Sequence, residues 1–525
     1  MKNSIFKNTS LISLLTFISR CLGLIRDALI SWTFGASWQS DAFFIAFRPF
    51  DFIRKILSEG ILGIFFVPLF SKAQKDKSFF RLTSMFFSFC SVLSLIGIVF
   101  IVLSLFVGPF IIKILAPEYI QYSYKYALTI ILFKTMLLYL WFSLIAAISM
   151  ALLNSLDKFA LSSFMPIVFN LIIIFCIFFL AKYCDPPIVA IAIGVSLGGL
   201  IQCVILIVFM NKLGILKFKG LNFSLIFDLK IFKTIFKMIP SIIGASSFSI
   251  NVLIVSVFAL NLKEGSVSFI YYAERLVQFP LAILSMALSI VLLPFFSKLA
   301  ISNDLDQIAN RSEDSIRLVL FLIFPSIAGL IVLDEQIITI LFGYKAFDSF
   351  AIKQTANCLF FLSLGLWAFA GTRVLIVLYY SLSCIRIPFY ASMLSICSNI
   401  CLCYLFVNIS FFKAFGAFGL VFLVSIAGSF NFIYLFVNTQ TIIDINKHLI
   451  IVSACRSFFL SAIMYFVVNK IKIFVFDQAI LQLQNRLWFT AGVLFCISFG
   501  IIFYLSLSYL ILPSELKIFS KYENK

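Results

Sequence analysis

Five cationic side chains interrupt apolar stretches within the first sixty residues. SRCLGLIRDALISW holds Arg20, Arg26 and Asp27, and DAFFIAFRPFDFIRKILSEG holds Asp41, Arg48, Asp51, Arg54, Lys55 and Glu59. A charge at the middle of a bilayer-spanning helix costs roughly 2.5–3.5 kcal/mol on insertion scales. Such side chains are expected to face a bundle interior or a wet cavity, and their arginine excess points to an anionic cargo. Planar guanidinium groups donate forked hydrogen bonds that match phosphate oxygens, which the point charge of lysine does not reproduce. A diphosphate would satisfy that surplus. The opposing reading is a set of salt bridges knitting helices together, or long side chains snorkelling to the interface. For one residue that reading is as good; for the set it is weaker, because cations outnumber the local acids.

Helical phase sorts these residues. Arg20, Gly23 and Asp27 share one stripe, with Arg26 at its edge. On the second segment Asp41, Arg48, Lys55 and Glu59 share a face. Arg54 is out of phase in a straight helix, but a kink at Pro49 would turn it toward the same space. SVSFIYYAERLVQFP repeats the theme: Ser268, Tyr271 or Tyr272, Arg275 and Gln278 line one face with Glu274 beside them, and Pro280 interrupts the ladder. Arg373 in GTRVLIV is a further cation. Asp41, Glu59 and Glu274 are expected to hold arginines in position, not to act as general acids or bases.

No catalytic machinery accompanies this set. The chain has no Walker A loop, no Gly-rich dinucleotide fingerprint and no Ser–His–Asp candidates. One histidine, His448, and cysteines without paired ligand spacing argue against a metal site. No catalytic residue, metal or cofactor is expected, and an ATP-driven pump is disfavoured.

The elements that must carry these residues are membrane helices. Of 525 residues, 62% are hydrophobic and 12% charged, with mean hydropathy +1.12. Charged residues in a soluble domain run near a quarter. Apolar runs long enough to cross a hydrocarbon core about 30 Å thick recur along the whole chain. The fold class is therefore an all-α polytopic membrane protein. The 67 phenylalanines read as compositional bias, serving lipid-facing and packing positions. A net charge of +18 would suggest nucleic acid in a soluble protein. Here the positive residues cluster in alternate loops, among them Lys72, Lys75, Lys77 and Arg81, Lys212, Lys217 and Lys219, and Lys517, Lys521 and Lys525. The positive-inside rule then puts both termini in the cytoplasm, with no nucleic-acid partner. The N-terminus lacks a small-residue cleavage site and reads as a retained first span.

We read about fourteen spans. Six lie near 8–34, 40–71, 82–115, 122–153, 159–182 and 187–211. Six more lie near 232–261, 267–298, 312–342, 354–384, 387–409 and 414–438, and a last pair near 448–469 and 486–512. This gives an N-lobe (1–211), an amphipathic cytoplasmic connector (212–231), a C-lobe (232–440) and a C-terminal pair with a cytoplasmic tail (441–525). FVPLFSK (66–72) recurs as LLPFFSK (292–298), and the same shift sets Ala42–Phe47 on Ser268–Ala273. A repeat separated by six spans predicts two lobes related by an axis along the membrane normal, with a substrate site between them. Gly194 and Gly198–Gly199 are expected at close helix contacts. The serines of SIIGASSFSIN and Asn251 fit either a cavity lining or packing hydrogen bonds.

The block from Ser19 to Lys72, with ALLNSLDKFA, GSVSFIYYAERLVQFPLAILSMALSIVLLPFFSK and LFGYKAFD, resembles the lipid II flippases of the MurJ/MviN family, within the multidrug/oligosaccharidyl-lipid/polysaccharide exporter superfamily. The resemblance covers nearly all the spans and is most specific in the first, second and eighth. It implies a V of two six-helix lobes around a cationic cavity, and a final helix pair forming a groove for the polyprenyl tail. It places cargo-handling arginines at Arg20, Arg26, Arg54 and Arg275, an acid at Asp41 and a hydroxyl at Ser268; the residue pattern itself adds Asp27, Arg48, Glu59, Glu274, Gln278 and Arg373 as a supporting cavity lining. One departure is Gln278, where some relatives carry a carboxylate one turn after Arg275. Another is residues 232–261, which hold no Asp or Glu on which to build a sodium site.

The expectation is thus a non-enzymatic flippase, acting as a monomer, that moves lipid II from the inner to the outer leaflet of the bacterial cytoplasmic membrane by alternating access. Coupling to a monovalent ion or to the membrane potential would reset it. A related polysaccharide-lipid or drug exporter is the nearest alternative; a cationic-drug antiporter should show an acidic cavity. A lipid-linked glycosyltransferase should show acids near a membrane face and a sizeable external loop. A silent scaffold for wall enzymes has no need of mid-membrane charge.

Overall fold

The computed structural model describes residues 2–58, 79–156, 158–214, 229–282, 296, 299, 304–476, 486–512 and 515–516. Among these, seventeen α-helices and short 3-10 turns account for the regular structure, with no strand. Ordered along the chain, they are α1 (Lys2–Phe34), α2 (Trp38–Ser58), α3 (Phe79–Leu115), α4 (Ser123–Ser155), α5 (Phe159–Phe179), α6 (Val189–Lys212), α7 (Leu229–Ala259), α8 (Ser266–Pro280) and α9 (Leu305–Val332). There follow α10 (Asp334–Leu341), α11 (Ser349–Ser363), α12 (Leu366–Ser381), α13 (Arg386–Asn408), the one-turn α14 (Ser410–Lys413), α15 (Gly416–Asn438), α16 (Lys447–Ile473) and α17 (Arg486–Ile511). Helices dominate because hydrocarbon offers the backbone no competing partner, so each segment must satisfy its own N–H and C=O groups. Serine and threonine hydroxyls follow the same rule: Thr129, Ser149, Ser256 and Ser312 each donate to the carbonyl four residues earlier.

Ten of the described helices are long and apolar enough to cross a membrane, and eleven if α11 and α12, bent by 46°, form one span. The expected count was about fourteen. For α1 and α2 the reason is chemical: Arg20, Arg26 and Asp27, and Asp41, Arg48, Asp51 and Arg54, break up their apolar windows. The expected eighth span, 267–298, lies partly outside the described residues.

The chain divides into two compact units, Met1–Ile242 and Ile243–Lys525, with the boundary inside α7. Most of the expected connector, residues 215–228, lies outside the described residues, as do FVPLFSK, all of LLPFFSK except Phe296, and Glu59. The other repeat pair is described. Ala42–Phe47 on α2 and Ser268–Ala273 on α8 are buried at every position, each within its own unit.

In the first unit α4 is central, with 67% of its apolar window buried against α2, α3, α5 and α6. α3 is peripheral, with 22% buried. It exposes Leu95, Val99, Leu103, Phe106 and Phe110, a face suited to lipid chains. The glycines of α6 make the expected close contacts. A Cβ on Gly198 would press on the Phe169 ring of α5, and one on Gly199 on the Tyr139 ring of α4. Polar ties cross the same contacts, from Ser196 Oγ to the Thr135 carbonyl at 2.6 Å and from Gln202 Nε2 to the Met165 carbonyl at 2.6 Å.

In the second unit α15 packs against α8, α11, α12 and α13, and α9 packs against α12 and α16. α12 and α15 interlock reciprocally: the Phe369 ring lies over Gly428, and the Phe432 ring over Gly371. The serine-rich run of α7 forms packing bonds. Asn251 Nδ2 donates to Ser395 Oγ on α13 at 2.8 Å, and Asn399 Nδ2 donates to the Asn251 carbonyl at 3.1 Å. Asn431 Nδ2 on α15 donates to Ser247 Oγ at 2.8 Å. Asp304, Asp348 and Asn446 cap the N-termini of α9, α11 and α16 by accepting a backbone N–H each.

The segment after α17 is more than a tail. Glu515 is 1% exposed and accepts from Arg317 Nη2 of α9 at 2.7 Å and from Ser453 Oγ of α16 at 2.8 Å. Tyr504 of α17 donates to the Phe321 carbonyl at 2.8 Å, and Lys472 of α16 to the Val332 carbonyl at 2.9 Å. The last helix pair is thus tied to α9 near both of its ends.

Candidate anion-binding site

Burying an arginine demands acceptors, and the first unit supplies them from three helices. Arg26 is 7% exposed and its neighbour Asp27 is 1% exposed. Nε and Nη2 of Arg26 both donate to Oδ1 of Asp27, at 3.0 and 2.7 Å. Nη1 donates to Oδ1 of Asn170 on α5 at 3.0 Å. Helical phase put Arg26 at the edge of the Arg20–Gly23–Asp27 stripe, yet its long side chain bends back onto the adjacent carboxylate and is buried with it. Gly23 fulfils its expected part. The nearest atom to a Cβ built there is Asn170 Nδ2, at 3.6 Å, so the small residue admits the α5 amide to α1. Arg20 is half-buried on the same helix.

On α2, Asp41 in the first turn is 3% exposed, Arg48 5% and Asp51 3%. A carboxylate at that end complements the helix dipole. Arg54 donates from Nη2 to Asp51 Oδ1 at 2.6 Å, one turn back. That i, i+3 spacing accounts for its orientation, and α2 continues as one helix through Pro49. The side chain of Lys55 lies outside the description, as does Glu59. The fully buried Tyr139 of α4 is within electrostatic reach of Arg54, Asp51 and Arg26 at once. These charges of α1 and α2 therefore converge beside the central helix of the unit.

The second unit carries a smaller set on α8. Ser268 is 0% and Glu274 1% exposed, and Arg275 is half-buried. Arg275 donates from Nη2 to the Tyr271 hydroxyl at 2.6 Å, with its guanidinium carbon 4.6 Å from the centre of that ring. The ring's negative face and the hydroxyl both hold the cation. Gln278 donates to Glu274 Oε1 at 2.5 Å. The glutamine that replaces a carboxylate in some relatives thus serves here to pin the acid one turn before it. Arg373 is half-buried on α12. In the first unit Arg20, Arg26, Arg48 and Arg54 stand against Asp27, Asp41 and Asp51, and in the second Arg275 and Arg373 stand against Glu274.

Sequence reasoning missed Asn170 and the Asp51–Arg54 pair, and left Tyr271 undecided against Tyr272. The signal for Asn170 was a lone amide in the apolar run MPIVFNLIII, which must find partners when buried. The signal for Asp51 was the three-residue spacing. No cluster of metal-ligating side chains occurs among the described residues.

Many apolar helices, two compact units and arginines buried on the first, second and eighth helices define a multi-pass membrane transporter. The fold matches a solved structure described as an inward-facing multidrug resistance MATE family transporter of the MOP superfamily, with TM-score 0.64 and 12% identity over 86% of this chain and 96% of that one. At that identity the likeness shows the fold alone. A second solved structure, "Lipid II flippase MurJ, inward closed conformation", is nearer, with TM-score 0.78 and 27% identity over 96% of this chain and 99% of that one. The sequence model of the family described as "Lipid II flippase MurJ" matches residues 30–484, and this chain belongs to that family. Two relatives called "Probable lipid II flippase MurJ" are each 32% identical over 439 residues. One, from Buchnera aphidicola subsp. Baizongia pistaciae, is matched over 82% of this chain and 83% of its own length; the other, from Vibrio cholerae, over 82% of each. Arg20, Arg26 and Asp27 precede the span the family model matches.

Proposed function

We propose that this protein is a lipid II flippase of the bacterial cytoplasmic membrane, moving the diphosphate-linked precursor from the inner to the outer leaflet. The observation that carries the reading is the buried Arg26. Three of its five N–H groups are held by Asp27 and Asn170, which leaves one on each terminal nitrogen to donate to a ligand. A forked pair of donors suits a phosphate, and in each unit the candidate cations outnumber the candidate acids, which suits an anionic cargo. Arg20, Arg54 and Arg275 share this task in the proposed cycle, with Asp41, Asp27 and Glu274 balancing charge and Ser268, Arg48, Gln278 and Arg373 in support. The lobes alternate access while the polyprenyl tail stays in lipid along the α16–α17 pair, whose Phe458, Phe459, Phe466 and Phe495 are exposed.

Alternation requires that cargo or ion bind the two states differently. A membrane potential supplies about 2.3 kcal/mol per charge per 100 mV, enough to bias the return of a cationic site. The protein acts as a monomer with both termini in the cytoplasm, and the reaction makes or breaks no covalent bond.

The test in cells uses Arg275. Arg275→Ala should fail to support growth of a strain depleted of its own lipid II flippase, with the variant present in the membrane at the wild-type level by immunoblot. Arg275→Lys keeps the charge but loses the planar face that lies on Tyr271, and should support slowed growth. Full growth with Arg275→Ala would count against the reading.

A further inference from the structure

Asn170 occupies the middle of α5, four residues after Pro166, and is 6% exposed. A primary amide buried among isoleucine, leucine and phenylalanine is retained only where both its ends are satisfied. Here they are. Oδ1 accepts from Arg26 Nη1 at 3.0 Å, and Nδ2 donates to the Ser19 carbonyl at 3.1 Å. The two contacts leave one orientation for the amide. Turned over, its NH2 would face the guanidinium N–H and its oxygen the Ser19 carbonyl, donor against donor and acceptor against acceptor. Asn170 is therefore a fixed acceptor whose own direction is set by the backbone of α1.

That acceptor is also neutral. Asp27 already balances the charge of Arg26 through two hydrogen bonds to one oxygen. A second carboxylate at position 170 would turn the group net negative, which repels a phosphate. An apolar residue would leave the guanidinium held along one edge only, free to turn about the Asp27 contact. The amide restrains the arginine while leaving the local charge unaltered.

We propose that Asn170 is a positioning residue for the transported lipid. By fixing Arg26 from a second helix, it presents the two remaining N–H groups as a fork suited to a diphosphate. This inference deepens the flippase reading and rests on it. It assigns to position 170 the orientation of the Arg26 fork, a geometric gain that charge alone does not supply to a phosphate-bearing lipid.

The test measures the affinity of the full-length, detergent-solubilised protein for undecaprenyl diphosphate, in the wild type and in an Arg26→Ala background. Asn170→Leu should weaken wild-type binding about tenfold, or about 1.4 kcal/mol. In the Arg26→Ala background the same change should alter affinity less than about twofold, because the amide acts through that guanidinium. Near-isosteric Asn170→Asp should weaken binding as well. An equal loss in both backgrounds, unchanged binding by Asn170→Leu, or tighter binding by Asn170→Asp overturns the role of Asn170 while leaving the transport reading intact. A wild-type protein that does not bind the lipid overturns the transport reading itself, and this role with it.

Discussion

Arg26→Ala is expected to abolish growth of a cell depleted of its own lipid II flippase, with the variant still inserted in the membrane. Arg26 makes three hydrogen bonds to two helices from a site that is 7% exposed, so its guanidinium is held in one direction that alanine cannot supply. Removing one member of a buried ion pair costs about 3–5 kcal/mol, which raises the question of stability. Two companions separate stability from transport. Arg26→Ala combined with Asp27→Asn removes both charges and should recover folding, as read by thermal denaturation, without recovering growth. Arg26→Lys keeps the charge and loses the fork, and should lower transport at least about tenfold, since each good charge-assisted bond is worth about 1.5–3 kcal/mol. Growth restored by the double variant would show that Arg26 matters only as Asp27's partner.

Glu515→Ala should give the largest loss of stability among single changes outside the charged helices. Glu515 is 1% exposed and Arg317 is held to it at 2.7 Å, with Ser453 on the same oxygen. Truncating the carboxylate leaves a buried guanidinium with the more distant Asp314, 4.0 Å away, as its ion partner. The expected cost is again about 3–5 kcal/mol, seen as a lowered melting temperature of the purified protein in detergent. Replacing the pair by apolar residues of similar size, Arg317→Met with Glu515→Leu, should restore most of it. A Glu515→Ala variant that melts with the wild type would show that the segment after α17 contributes nothing to holding α16 and α17 on α9.

These two cases also mark where the sequence was readable. Arg26 was legible because charge within an apolar run is costly and therefore purposeful. Its acid was legible in kind but not in geometry: helical phase describes where a Cβ points, and an arginine reaches well past its own stripe. The same limit hid the Asp51–Arg54 pair, whose three-residue spacing brings the side chains together. Asn170 was harder, because its partner is 144 residues away and a neutral amide carries no charge signal. The glycines of α6 were read correctly as packing positions, since small residues at that spacing serve few other purposes. Glu515 was taken for part of a polar tail, because the lysines that follow it dominate the composition there. Spans were countable where they were uniformly apolar, and α1 and α2, which bear Arg20, Arg26, Arg48 and Arg54, fell below that standard.

The most direct test of the central claim is lipid II exchange between the leaflets of sealed vesicles holding the purified protein, with and without an imposed potential. The proposed role of the α1, α2 and α8 arginines in receiving a diphosphate predicts exchange by the wild type, none by Arg26→Ala, and a rate that changes with the sign of the potential. Exchange at the same rate by wild type, Arg26→Ala and protein-free vesicles would contradict it.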